Sequence, residues 1–266
     1  MWFRALLSAI ALLFIGGRAA AYDVIAVAVP GMADSLRAVV AAPASPAPEG
    51  GWPSLYMLNG YDGSHLDWAK RVNVDSIASA RGLVLVFPDG GNSWYFDTPG
   101  CPMETAITGP LIATVDSLYH TSSLPSRRAV AGLSMGGHGA IRLAGRHPEL
   151  FATVASMSGA VDLATNPAMH KRYALRSLLG PYEAAPQQWR DASAVAQVAN
   201  LSRNGTKVWL SCGESDFFYP DNERFARELR RAGVEVTFRT LPGTHNWKFW
   251  RAEFPQLLDF VSQSVR

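Results

Sequence analysis

Residues 129–140 read Ala129-Val130-Ala131-Gly132-Leu133-Ser134-Met135-Gly136-Gly137-His138-Gly139-Ala140. A short apolar run, the length of a buried strand, leads into a helix-length stretch at 135–146 with only Ser134 between them. A serine at so sharp a strand-to-helix turn has a strained backbone, and side chains two positions to either side would collide. Glycine at 132 and 136 relieves both collisions. The bare G-x-S-x-G pattern arises by chance in a glycine-rich chain. The strand before it, the helix after it and Gly137 for close helix packing give it meaning as a nucleophile elbow. In that setting the Ser134 hydroxyl projects from the sheet edge. The Met135 amide, at the positive end of the helix, points at any negative charge developing beside it.

The same grammar repeats outward from the elbow. Apolar runs at 55–58, 83–87, 151–157 and 207–212 each end in a polar or glycine-rich turn: Asn59-Gly60-Tyr61-Asp62-Gly63, Pro88-Asp89-Gly90-Gly91, Ser158-Gly159 and Gly213-Glu214-Ser215-Asp216. Helices are expected at 67–81, 105–120, 135–146 and 222–232, the last stopped by Gly233, and a further strand at 234–240. Apolar strands alternating with helices predict an α/β fold with a mostly parallel central sheet and helices on both faces. Ligands of such sheets bind beyond the carboxyl ends of the strands, where these polar turns lie. Upstream, 23–29 and 36–42 flank Pro30-Gly31 and read as a β-hairpin or meander. The irregular stretch 163–200, with Pro167, Pro181 and Pro186, reads as a small cap region. No internal repeat and no second domain are evident.

A serine nucleophile needs a base, and the base an orienting acid. His138 and His147 fall on the elbow helix, His120 at a helix end, and His65 and His170 in loops far from a suitable strand end. His245 follows the last predicted strand in Leu241-Pro242-Gly243-Thr244-His245-Asn246-Trp247, and Asp216 closes the penultimate one. The chain order Ser134, Asp216, His245 is that of an α/β-hydrolase. Asp216 could instead cap a helix starting at Phe217, with Glu214 and Asp221 as the other acids. A second oxyanion donor belongs to the loop after an earlier strand. Asn59-Gly60-Tyr61 fits, and the Tyr61 amide is the donor expected beside that of Met135. Aromatic residues gather at the same edge, and Trp68 and Trp247 are the expected substrate-binding members. No zinc-protease, C-x-x-C, P-loop or dinucleotide signature occurs, so no metal or cofactor is expected. The polar trio Asp62, His65 and Asp67 is explained by the turn it occupies.

Four blocks together carry a family resemblance: Leu55-Tyr56-Met57-Leu58-Asn59-Gly60, Val86-Phe87-Pro88-Asp89-Gly90-Gly91-Asn92-Ser93-Trp94-Tyr95, Gly132 to Ala140, and His245-Asn246-Trp247 with Trp250. From Val24 to the C-terminus the chain resembles the esterase family that includes esterase D (S-formylglutathione hydrolase), tributyrin esterases, feruloyl esterases and the mycobacterial mycolyltransferases. The resemblance implies an α/β-hydrolase fold, a Ser134/Asp216/His245 triad and oxyanion amides from Tyr61 and Met135. It implies cleavage of short-chain or carbohydrate-linked acetyl or feruloyl esters, with two other readings open. One is acyl transfer to a sugar or lipid hydroxyl; the other is a catalytically silent carbohydrate- or lipid-binding relative. Two positions depart from the pattern. Asn59 stands where many members have histidine, and Gly109-Pro110 where many have a Glu-Leu pair in the helix before the elbow strand.

Composition bounds the partners. The 266 residues carry 24 Lys+Arg against 22 Asp+Glu, with 48% hydrophobic and 17% charged residues, as in a globular chain with a large core. Arg4, the apolar run 5–15 and Ala19-Ala20-Ala21 have the order of a secretory signal peptide, and the run is too short to span a bilayer. The expectation is a signal at 1–21 and an esterase domain at 22–266, secreted or periplasmic, without stable membrane insertion after cleavage. Removing Arg4 and Arg18 leaves 22 basic against 22 acidic residues over 245 positions. With no Lys/Arg run longer than two, a nucleic-acid partner is not expected. The expected partner is a small-molecule or polysaccharide-linked ester. Cys101 and Cys212 could form one disulfide in an exported chain, but their strands would lie several positions apart in the sheet, which favours two unrelated thiols.

Overall fold

A computed structural model describes residues 22–171 and 174–266, so the expected signal segment at 1–21 lies outside the described residues. Its centre is an eight-stranded sheet: β1 (Asp23–Val27), β2 (Leu36–Ala41), β3 (Ser54–Leu58), β4 (Val84–Pro88), β5 (Arg128–Leu133), β6 (Thr153–Met157), β7 (Lys207–Gly213) and β8 (Val236–Leu241). The spatial order is β1-β2-β4-β3-β5-β6-β7-β8. Only β2 runs against its neighbours. The five parallel pairings place the turns after β3, β4, β5, β6, β7 and β8 along one edge, as expected for an α/β-hydrolase.

The principal helices are α1 (Val74–Arg81), α2 (Ile112–Tyr119), α3 (Met135–Arg146), α4 (Tyr219–Arg231) and α5 (Trp247–Ser264). Strand side chains alternate between two cores. Tyr56, Leu58 and Val130 face the layer holding α2, α3 and α4, while Leu55, Met57 and Ala131 face α1 and α5. With both faces covered, the central strands are buried throughout, which is why they read as continuous apolar runs and not as alternating ones.

Four elements differ from their expected form. The stretch 67–81 is helical only from Val74, because Asn73 restarts the chain as an N-cap, its side chain accepting from the Ser76 amide at 3.0 Å. The expected 105–120 helix contains a π-helical turn, Ile107–Leu111, around Pro110, which has no amide to donate. The C-terminal helix α5 has no counterpart among the expected helices, although Phe249, Trp250, Glu253, Phe254, Leu257, Leu258 and Val261 form a regular buried stripe. Pro255 masks that stripe in the sequence but lies on its exposed side. A small hairpin, Asp97–Thr98 with Cys101–Pro102, was also not anticipated.

The segment after β6 forms short helices, including Leu175–Leu179, Pro186–Ala192 and Val198–Arg203. It packs on the elbow helix α3, where Ala192 O accepts from His138 Nε2 at 2.9 Å. None of its described residues lines the cavity at Ser134. Both cysteines are free thiols, Cys212 buried in β7 and Cys101 in the small hairpin. Among the described residues no helix is long and apolar enough to cross a membrane.

Candidate active site

Ser134 joins β5 to α3 with φ 55° and ψ −119°, a conformation that costs an ordinary residue about 1–3 kcal/mol. Hydrogen bonds on both sides hold it there. The Ser134 amide donates to Met157 O at 2.9 Å, and Ser134 O accepts from Ala160 N at 3.2 Å and His138 N at 3.1 Å. The flanking glycines are required by close approach. A Cβ on Gly132 would strike the Gly136 backbone, and one on Gly136 would strike the carbonyls of Leu58 and Asn59.

Beside the serine, His245 Nε2 lies 2.9 Å from Ser134 Oγ, and His245 Nδ1 lies 2.9 and 3.1 Å from the two Asp216 oxygens. A neutral imidazole with its proton on Nδ1 satisfies the whole chain: the hydroxyl donates to Nε2, and Nδ1 donates to the carboxylate. The Asp216 side chain is fully buried, while that of His245 keeps 16% exposure, so the imidazole meets the cavity and the acid does not. The loops bearing them are tied together, Glu214 N donating to Leu241 O and Ser215 N to Gly243 O, both at 2.9 Å. Asp216 also accepts from the Phe218 amide at 2.9 Å, so the cap-like alternative and the imidazole contact coexist. Glu214 points to solvent, and Asp221 bonds Asn166 and Arg224.

Ser134 reaches none of the other five histidines. His65 pairs with Asp89 at 2.7 Å, and His147 bonds Glu104 at 2.8 Å. His170 stacks on Tyr182 with centroids 3.8 Å apart, and His120 ends α2. His138 is buried and its basicity falls to about 3, first through burial and then through the charge of Arg142.

Met135 is the first residue of α3, so its amide has no partner within the helix. Gly60 packs against Ser134, since a Cβ on it would lie 3.5 Å from Ser134 Cβ, and Tyr61 lines the same cavity as Ser134. What fixes that loop was missed in the sequence. Asn59 Oδ1 accepts from Gly90 N at 2.8 Å and from Tyr95 Oη at 3.0 Å, while Asn59 Nδ2 donates to Gly60 O at 2.8 Å and Gly91 O at 3.3 Å. The signal was the departure itself. The asparagine amide offers two donor hydrogens and a carbonyl acceptor, and this chain uses both ends to join the turns after β3 and β4.

A cavity of about 290 Å³ opens over Ser134, lined by Gly60, Tyr61, Leu133, His245, Trp247 and Trp250 with Asp62, Gly63, Asp67 and Arg71. Of the two expected substrate-binding aromatics, Trp247 lies on its wall. Trp68 does not: it is 2% exposed and stacks on Phe254 at 4.1 Å, supporting Trp247 edge-on at 5.1 Å from beneath. Phe217, 56% exposed, has its ring centroid 4.4 Å from that of His245. Among the described residues no group of His, Cys, Asp and Glu could hold a metal ion.

The family model described as "Putative esterase" matches residues 30–261. The chain belongs to this esterase family. It is 22% identical to an acetyl esterase of Caldicellulosiruptor saccharolyticus over 79% of this chain and 83% of that one. It is 27% identical to the diacylglycerol acyltransferase/mycolyltransferase Ag85A of Mycobacterium tuberculosis, over 76% of this chain and 70% of that one. A solved ferulic acid esterase superposes with a TM-score of 0.76 at 26% identity, covering 92% of this chain and 97% of the other. The fold is that of an α/β-hydrolase and the family activity is ester hydrolysis.

Proposed function

We propose that this esterase cleaves carboxylic esters through an acyl-enzyme on Ser134. The observation that carries the reading is the unbroken hydrogen-bond chain from Ser134 Oγ through His245 to buried Asp216. The Ser134 oxygen attacks the ester carbonyl as His245 Nε2 takes its proton, and Asp216 holds the resulting imidazolium in orientation. The amides of Met135 and Tyr61 stabilise the tetrahedral oxyanion. His245 returns the proton to the departing alcohol, and water, activated by the same imidazole, releases the acid. No step calls for a metal or a cofactor. The similarity to Ag85A supports a second reading, in which a sugar or lipid hydroxyl replaces that water. The short-chain, acetyl or feruloyl nature of the acyl group is inferred from the relatives. Export rests on the order of charge, apolar run and small residues in 1–21, with 22–266 as the working unit.

One set of measurements tests this. A fluorophosphonate should label Ser134 in protein recovered from the secreted or periplasmic fraction and beginning near Tyr22. Ser134→Ala should abolish labelling, lower p-nitrophenyl acetate turnover by about 10⁴-fold or more, and leave the circular dichroism spectrum unchanged. Near-normal hydrolysis by the variant would overturn the assignment. Product analysis with a sugar acceptor separates hydrolysis from transfer.

A further inference from the structure

A second cavity, about 580 Å³, adjoins the one over Ser134 and shares Arg71 and Trp247 with it. Its remaining wall is Val72, Lys248, Arg251 and Ala252, so it runs between the loop before α1 and the first turns of α5. The charges here are unbalanced. The two acids of α5 are engaged elsewhere: Glu253 holds Arg239 at 3.0 Å and Asp259 holds Arg81. That leaves Lys248 and Arg251, three residues apart on one exposed face, with no acid among the described residues within ion-pair distance. Arg71 pairs with the Asp67 carboxylate at 3.3 Å and donates to the Asp67 main-chain oxygen at 2.7 Å, and its guanidinium carbon lies 3.9 Å from the centroid of the Trp247 ring. The N-terminus of α5, capped by Asn246, adds positive potential at the same place.

We propose that this groove is an anion subsite, taking a carboxylate or phosphate borne on the part of the substrate remote from the scissile ester. Trp247, with Arg71 over its ring, is the shared wall: the ester carbonyl sits on one side at Ser134 while the acid reaches Lys248 and Arg251 on the other. Cations without acid partners lose no ion pair when they meet a ligand anion, so charge-assisted hydrogen bonds there translate into selectivity. The position of the carbonyl rests on the serine-esterase reading; the groove and its charge do not.

The test therefore measures binding apart from turnover. Calorimetry with Ser134→Ala protein compares an acetylated methyl glucuronoside and an acetylated glucose 6-phosphate with their uncharged acetylated glucoside. At least one acid should bind about tenfold more tightly than the neutral sugar. That advantage should vanish in the added pair Lys248→Ala/Arg251→Ala and shrink as salt rises. In active protein, the ratio of kcat/KM for acidic over neutral ester should fall by about the same factor in the double variant, mainly through KM. The tighter acid identifies the group the groove takes. Equal binding of acidic and neutral sugars, or an advantage that survives the double substitution at an unchanged unfolding midpoint, overturns the proposal even if Ser134 proves to be the nucleophile. Anion binding without any hydrolysis overturns the esterase reading and leaves the groove standing.

Discussion

The two sides of Ser134 are built differently. On the β3–β4 side, the elbow and the loop carrying Tyr61 are locked by buried contacts, with Asn59 using its donor and its acceptor to join two turns. On the α5 side, Trp247 stands half-buried between two open cavities, and Lys248 and Arg251 project with no acid partner among the described residues. Reaction geometry tolerates little displacement, so the groups that would stabilise charge are fixed in advance at the expense of strain. Recognition of a solvated group gains from cations left unsatisfied until the ligand arrives. The tight side should therefore respond to substitution in turnover and stability, and the open side in KM.

The largest effect on the tight side is expected from Gly136→Ala. The new methyl group would press into the carbonyls of Leu58 and Asn59, and neither is a flexible side chain. A loss of roughly 3 kcal/mol or more, read as a drop in denaturation midpoint or in soluble yield, is the expectation. A normal midpoint would mean that the elbow is looser than its contacts imply.

Asn59→Ala comes next. It unties the Tyr61 loop from the turn after β4 without touching the hydroxyl or the imidazole. The expected result is a fall in kcat of about 10- to 100-fold with KM and the acid limb of the pH profile little changed. A change confined to KM would place Asn59 on the recognition side.

The smallest effect concerns the far end of the elbow helix. There Arg142, Arg146 and His147 surround Glu104, with Arg146 Nε at 2.7 Å and His147 Nε2 at 2.8 Å. Burial raises the Glu104 carboxyl, but hydrogen bonds from His147 and Arg146 and the nearby arginine charges outweigh it and bring the group down to about 2. His147 is raised in return, first by its hydrogen bond to Glu104. A histidine raised on folding contributes its stability below its unfolded value, near pH 6.5, and loses it as pH climbs through the raised one. Glu104 stays ionised throughout that window. His147→Ala should thus cost about 1 kcal/mol at pH 6 after allowance for partial exposure, and clearly less at pH 9, in paired urea titrations. An equal cost at both pH values would show that the ion pair contributes nothing.

The elbow was legible because it is local: strand, glycine, serine, glycine and helix occupy consecutive residues, and φ 55° at Ser134 follows from that crowding. The chain order of Ser134, Asp216 and His245 was legible because parallel strands bring their following turns to one edge. Trp68 was misplaced for the opposite reason. It shares the edge in sequence, but Asn73 breaks the expected helix and the preceding turns fold the indole onto Phe254. Helix α5 escaped notice because Pro255 looks disruptive until its exposed position is known.

By itself, then, the sequence determined the sheet, the elbow and the identity of its serine, since these rest on short-range sterics and the burial of apolar runs. Tertiary structure alone decided that Asn59 ties the two loops, and that the acids of α5 turn to Arg81 and Arg239 and leave Lys248 and Arg251 with no ion-pair partner among the described residues. Those outcomes depend on which distant side chains meet across packed layers. Spacing along the chain does not encode such meetings, and only the folded geometry does.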